Sequence, residues 1–437
     1  MKKSLFAVAA LTAIAGAAQA QSSVTVYGIM DAGYIGSNET LSAGSGLTNP
    51  ANVKKQSNQF GQSAESTSRL GFKGNEDMGG GTSAFFTIEM GLNPQLGNLS
   101  GSSAASSTTY DKQGTTNTSG SAIDNRQSFV GLKKAGVGQI AFGRQYTAVF
   151  NSAAATSTGQ HNNVIGDVIY AGSTAVTDTY SGQYYLSGFT NRGDNQVSIS
   201  SDTFAGFKGN AFMTMANANS TATTATGTTA AGANANWNGW GVGADYTWNM
   251  LFVTASYQNF RTKIDSSTAS TSTAISDING AGALAGQTLT SMATPATNLT
   301  DKQQFVGATY DFGILKAYAQ YISRNIYQNT GVAGNTFQRS AEQIGVRSYI
   351  TPTIEAWAST GIGKVQGNGL ATAYSSTIAN GGSSKFNAYQ LGANYYLSKR
   401  TNLYGIFGST QTTNSVTGIS GSGSSANQYA LGMRHTF

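Results

Sequence analysis

Side chains able to do covalent or metal chemistry are scarce in this chain. None of its 437 residues is Cys, and its two histidines, His161 and His435, lie far apart in sequence. Cys–His chemistry is therefore excluded, and a His-rich zinc site lacks donors. The chain has no GxSxG elbow, no P-loop and no complete GxGxxG. This reading calls for no catalytic residue, no cofactor and no metal. What remains is electrostatic chemistry: guanidinium and carboxylate groups that steer or hold a charged solute without reacting with it. Arg69, Glu89 and Arg192 qualify, because each sits on the polar side of an alternating segment.

In a strand, successive side chains point to opposite faces, so alternation marks a sheet with two unlike sides. Leu70 and Phe72 alternate with Arg69, Gly71, Lys73 and Asn75. Phe86, Ile88, Met90 and Leu92 alternate with Thr87, Glu89 and Gly91. Arg192 shares parity with Gln196 and Ser198, against Val197 and Ile199. Trp240, Val242, Ala244, Tyr246 and Trp248 share one side, as do Leu251, Val253, Ala255 and Tyr257 in the next segment. Ile344, Val346 and Ile350 alternate with Gln343, Gly345 and Arg347. The last segment sets Tyr429, Leu431, Met433, His435 and Phe437 against Gln428, Ala430, Gly432, Arg434 and Thr436. Aromatics bracket these segments as the girdles of a membrane barrel would.

The connections alternate in length along the whole chain. Short turns fall near 76–81, 134–138, 201–206, 249–250, 312–313, 351–353 and 398–400. Long, Ser/Thr/Ala/Gly/Asn-rich loops fall near 36–65, 93–125, 147–191, 217–238, 262–301, 325–339, 365–385 and 412–427. Seven turns and eight loops make fifteen connections, hence sixteen strands. Such loops are hard to place inside one soluble domain but cost little on the outer face of a barrel.

Composition agrees with a surface that does not all face water. Only 10% of residues are charged, against about a quarter in soluble domains. The formal charge is +6, or +4 without Lys2 and Lys3, too mild to argue for nucleic acid. Lys2 and Lys3, the apolar run Ser4 to Ala18 and the small-x-small site Ala18-Gln19-Ala20 predict a secretory leader over 1–20. The run is too short to span a bilayer as a helix, and none comparable follows. The mature chain is expected to be one barrel domain, 21–437.

These residues resemble the general porins of Gram-negative bacteria, most closely those of β-proteobacteria. Ser22-Ser23-Val24-Thr25-Val26-Tyr27-Gly28 is similar to that family's first strand. The stretch from Ser68-Arg69-Leu70-Gly71-Phe72-Lys73-Gly74-Asn75 through Glu76-Asp77-Met78-Gly79-Gly80-Gly81 is similar to its second strand and first turn. Arg126 to Lys133 and Gly143-Arg144-Gln145 resemble the hairpin before the third loop. Leu397-Ser398-Lys399-Arg400-Thr401 is similar to a late turn, and Arg434-His435-Thr436-Phe437 to the terminal strand. The chain departs from the pattern at Asp202, where members commonly have Pro, and at Ala135-Gly136-Val137-Gly138, which lacks a Phe before Gly.

The resemblance implies an all-β fold: a 16-stranded antiparallel transmembrane β-barrel with short periplasmic turns, long extracellular loops and a third loop folded inward as an eyelet. That loop is about Tyr146 to Asn191. It implies an outer-membrane homotrimer in contact with lipid and lipopolysaccharide, passing small hydrophilic solutes and ions by diffusion. Arg69, Arg126 and Arg192 match its basic ladder, and Glu89 matches an acidic pore position. Asp167 and Asp178, the carboxylates of the third loop, are candidates for the facing acidic lining. Parity independently turns Arg69, Glu89 and Arg192 inward. Arg126 shares parity with Val130 and Leu132, so either a β-bulge intervenes or it sits above the lipid band. Arg144, in step with Ile140 and Phe142, poses the same question.

Three matched arginines and few carboxylates predict a modest anion preference. The rival readings fare worse. An enzyme lacks its residues, and an adhesin would show repeats or one-sided sheets. A substrate-specific channel for sugars or carboxylates is the serious alternative, and a tract of aromatics or arginines along the pore would favour it.

Overall fold

Alternation over ten or more residues gives strands with one polar and one apolar side, and a sheet with two such sides can close on itself. The computed structural model describes residues 23–42, 53–95, 99–100, 123–170, 188–220, 233–264, 297–329, 336–368, 382–415 and 423–437. The expected leader, 1–20, and Asp178 lie outside them.

The strands are β1 (Ser23–Ser42), β2 (Val53–Gln62), β3 (Arg69–Gly79), β4 (Thr82–Gly91), β5 (Asn125–Lys134) and β6 (Gly138–Tyr146). A helix, α1 (Ala148–Ala155), follows, then β7 (Arg192–Ser201), β8 (Phe207–Ser220), β9 (Ala233–Trp248), β10 (Leu251–Ile264) and β11 (Thr297–Asp311). The series ends with β12 (Lys316–Gln328), β13 (Thr336–Thr351), β14 (Ile354–Asn368), β15 (Ser383–Tyr396), β16 (Thr401–Ser415) and β17 (Gly423–Thr436).

Pairing among the described strands is antiparallel and, away from β1, runs between sequence neighbours; β1 pairs with β17 to close the ring, with Asp31 opposite Arg434. On its other edge β1 carries both β2 and β3: Ala32–Leu41 pairs with β2 and Ser23–Ile29 with β3. The two are halves of one interrupted strand, so the barrel has sixteen. At the interruption residues 63–68 bend inward, Ser63 with φ +62°. Asp31 holds the bend, accepting from the backbone N–H of Glu65 at 2.8 Å and Ser66 at 2.6 Å.

The barrel is inside-out relative to a soluble protein. In β17, Gln428 is 2% exposed while Leu431 is 61% exposed. Thr254, Ser256, Gln258, Gln303, Gln343 and Gln390 are likewise buried, whereas Val242, Val306, Ile344, Ile362, Leu391 and Met433 are exposed. An apolar outer wall is what hydrocarbon requires, and closure leaves no unpaired sheet edge in it. Outward aromatics mark both borders: Tyr310, Phe312, Tyr349, Tyr395 and Phe437 near the short turns, and Phe60, Trp240, Tyr389 and Tyr429 toward the long loops.

The seven short turns fall where expected, for example Asn249-Met250 between β9 and β10. The long-loop ranges do not hold, because strands run well into them. β8 and β9 leave only 221–232 between them, and β13 reaches back to Thr336. Those extensions rise above the apolar belt and carry polar residues on both faces, so alternation could not reveal them. Leu92 is not on the apolar outer face of its strand. It lies just past β4 and is buried, its N–H donating to Ser68 O at 2.9 Å.

Candidate functional site

The third loop enters the barrel directly after β6. Thr147 caps α1, its Oγ1 accepting from Phe150 N at 3.3 Å, and the helix lies against the inner wall of β9–β11. A row of buried glutamines on β10–β13, β15 and β17 fastens the loop backbone. Gln258 Oε1 accepts from Val149 N at 3.2 Å, Gln303 Oε1 from Thr190 N at 2.7 Å, and Gln343 Oε1 from Val168 N at 2.9 Å. Gln428 Oε1 accepts from Ile165 N at 2.8 Å. Gln320 Nε2 donates to Ala153 O at 3.1 Å, and Gln390 Nε2 to Val164 O and Ile165 O, both at 3.0 Å. An amide side chain both donates and accepts, so one residue type can satisfy either orphan group of a buried backbone.

Between the fastenings the loop and wall make an apolar contact: Val149, Val168, Ile169 and Phe189 pack against Phe305, Ile322, Ile326, Phe337 and Phe386. At Gly408 the approach is so close that a Cβ would fall 1.7 Å from Ile165 O. The inward bend at 63–68 meets the same loop, with Asn163 N donating to Ala64 O at 2.8 Å and Asn163 Nδ2 to Ser63 O at 2.6 Å. The loop therefore lies along β10–β17 and narrows the lumen against the wall of β3–β7.

On that facing wall stand the three arginines. Glu89, 3% exposed, is the carboxylate that Arg69 and Arg126 share. Arg126 Nε donates to Glu89 Oε1 at 2.8 Å, Arg69 Nη1 lies 3.8 Å from the same oxygen, and Tyr27 Oη donates to Glu89 Oε2 at 3.2 Å. Arg126 Nη2 also donates to Tyr146 Oη at 3.1 Å, and the Arg192 guanidinium carbon lies 5.0 Å from the centre of the Tyr146 ring. Arg126 faces inward through a β-bulge: Glu89 is opposite Gln127 and Met90 opposite Asn125, leaving Arg126 as the extra residue. A second bulge follows, with Gly143 opposite Gln196 but Gln145 opposite Gly193, and φ +129° at Gly143 suits glycine. This turns Arg144 to an ion pair with Asp194.

The structure thus brings Arg69, Arg126, Arg192 and Glu89 together. Asp167 lies elsewhere, buried on the loop, its Oδ1 accepting from Ile169 N at 2.8 Å and Tyr170 N at 2.9 Å. A cavity of about 760 Å³ runs between the arginines and the loop. Its far side holds Arg347, whose guanidinium donates to Ser157 O and Thr158 O and lies 3.7 Å from Glu355 Oε1. Sequence reasoning placed Arg347 on the inward face but gave it no role, and it passed over Tyr27, Tyr146 and Glu355. No spacing marks these three. Tyr27 reaches the site across the β1–β3 pairing, Tyr146 from the end of β6 beside β5, and Glu355 from the far wall of the cavity.

Comparison with known proteins gives a consistent picture. Residues 7–415 match a family whose description is Gram-negative porin. Over 148 residues the chain is 35% identical to an outer membrane porin protein of Bordetella pertussis, covering 33% of this chain and 34% of that protein. Over 106 residues it is 44% identical to outer membrane porin protein 32 of Delftia acidovorans, covering 23% and 25%. The chain therefore spans about a third and a quarter of these curated relatives. Among solved structures, the anion-selective porin from Comamonas acidovorans aligns over 95% of this chain and 100% of its own, with a TM-score of 0.58 and 19% identity.

Proposed function

The chain belongs to the Gram-negative porin family, and from that premise we propose that it forms a water-filled outer-membrane channel for passive diffusion of small hydrophilic solutes, with a modest preference for anions. A barrel of about sixteen strands is too wide for its side chains to fill, so an aqueous path remains. Passage needs no bond-making step, only a hydrated route without a deep well or a high barrier.

The observation that carries the anion preference is the charge balance across the narrowing. Arg69 and Arg126 share one carboxylate, Glu89, and Arg192 stands beside them against Tyr146. Excess positive charge lowers the barrier for anions and raises it for cations. Salt weakens the effect, since the Debye length is about 10 Å at 0.1 M. Asp167 supports the narrowing by capping its own loop rather than by offering a free carboxylate to the lumen. The chain assembles as a homotrimer amid lipid and lipopolysaccharide, a reading supported by family membership and the apolar outer wall; removal of residues 1–20 is supported by the basic start, the apolar run and the small-x-small site.

The test is reconstitution in a planar bilayer under a KCl gradient. Large, stepwise, ohmic conductance with a reversal potential of anion sign is expected, and Arg69→Gln with Arg192→Gln should move it toward cations. A cation-sign potential in the wild type would overturn the charge assignment. No conductance from correctly folded protein would overturn the channel reading.

A further inference from the structure

Beginning beside the arginines at Tyr146, rings line the cavity. Tyr146 and Phe150 stack with centroids 3.9 Å apart and planes 4° from parallel. His161 meets Phe150 edge-on at 5.3 Å and 74°, and Tyr170 stacks on His161 at 4.2 Å and 6°. All four front the same space as Arg69 and Arg126, and Tyr146, Phe150 and His161 are only half-buried. A path for water and small ions needs no such surface, and hydroxyls would serve it better. The rings brace one another, so their orientation is set before any solute arrives.

We propose that the narrowing carries a weak binding site for aromatic carboxylate anions, Arg69 taking the carboxylate while the ring rests against Phe150 and His161. The proposal builds on the channel reading above. A guanidinium presents paired N–H donors that match a carboxylate, and Arg69 keeps 21% of its side chain exposed to the cavity. Aromatic rings add attraction through offset-stacked or edge-to-face contacts that a saturated ring of equal size makes less well. The pairing selects by class. An aliphatic acid finds only the guanidinium, a neutral arene has no anchor, and an aromatic cation is repelled by three arginines set against one carboxylate. The site must stay weak, because a solute held tightly would block the path it has to cross.

The experiment measures block of the chloride current in planar bilayers by benzoate, cyclohexanecarboxylate and benzamide. Benzoate should halve the current at about fivefold lower concentration than cyclohexanecarboxylate, the ratio expected for one aromatic contact, and benzamide should have little effect. Arg69→Gln should weaken block by both acids. Phe150→Leu combined with His161→Leu should erase the difference between them while chloride still passes. Equal block of the wild type by the two acids overturns the site and leaves the channel standing, and that comparison needs no variant. Loss of all chloride conductance in the folded wild type would instead overturn the channel.

Discussion

Glu89 accepts from Arg126 and Tyr27 and lies 3.8 Å from Arg69, so one carboxylate sets the charge of the whole arginine cluster. Glu89→Gln removes that charge and keeps the side chain's size. One charge acting over about 4 Å in water is worth about 1 kcal/mol, so the anion-to-cation permeability ratio should rise several-fold. Bi-ionic reversal potentials check this, and a fall in the ratio would contradict the assignment. The variant should also unfold at lower temperature, because Arg126 would stay buried with a weaker partner. At this scale the sequence was legible where the strand is regular. Arg69 and Glu89 obey the alternation of β3 and β4. Arg126 does not, because alternation counts residues and a bulge adds one without any mark in the local composition. Tyr146 left no signal, since a ring at the end of a strand reads equally as a border aromatic.

The third loop is held by polar contacts that no run of local sequence announces. Gln343 and Gln428 alternate with apolar neighbours and so read as inward-facing, but inward-facing amides ordinarily line water. That they bind backbone follows only from the loop returning to them. Each such hydrogen bond contributes about 0.5–1.5 kcal/mol, so a single loss is tolerable and several are not. Gln343→Leu with Gln390→Leu removes the fastenings of Val168 N, Val164 O and Ile165 O. The expected outcome is a larger and noisier single-channel conductance with the barrel intact, whereas unchanged current would mean the apolar contact alone holds the loop. The short turns were legible because Gly, Asn, Asp, Pro or Ser sits in each two- to six-residue reversal. The strand extensions were not, because above the apolar belt both faces of a strand meet water.

The whole molecule is stabilised by putting apolar side chains where lipid is and polar ones where the chain must satisfy itself. Leu391 is half-exposed on the outer wall, between Tyr389 and Tyr395, and so lies within the apolar belt. Leu391→Arg should cost about 2–4 kcal/mol if that position is near mid-bilayer, read as a lower urea midpoint for folding into lipid vesicles. Gln390, next in sequence, points the other way, and its change to Leu should act on conductance instead. A midpoint unmoved by Leu391→Arg would mean this stretch does not face lipid. The inside-out architecture was the most legible feature of the chain, since several cleanly alternating segments, together with connections of two unlike lengths that count sixteen strands, admit few arrangements.

The fastenings of the third loop also impose an order on assembly. Ile165 is held by Gln428, 263 residues further along the chain, and Val168 by Gln343, 175 residues along. A contact between such distant partners is slow to form, because the chain between them must first be brought together. The loop's last anchors exist only once β17 has been laid beside β1. An intermediate that lacks β17 therefore has a wall but no finished narrowing, so the filter is completed only with the last strand.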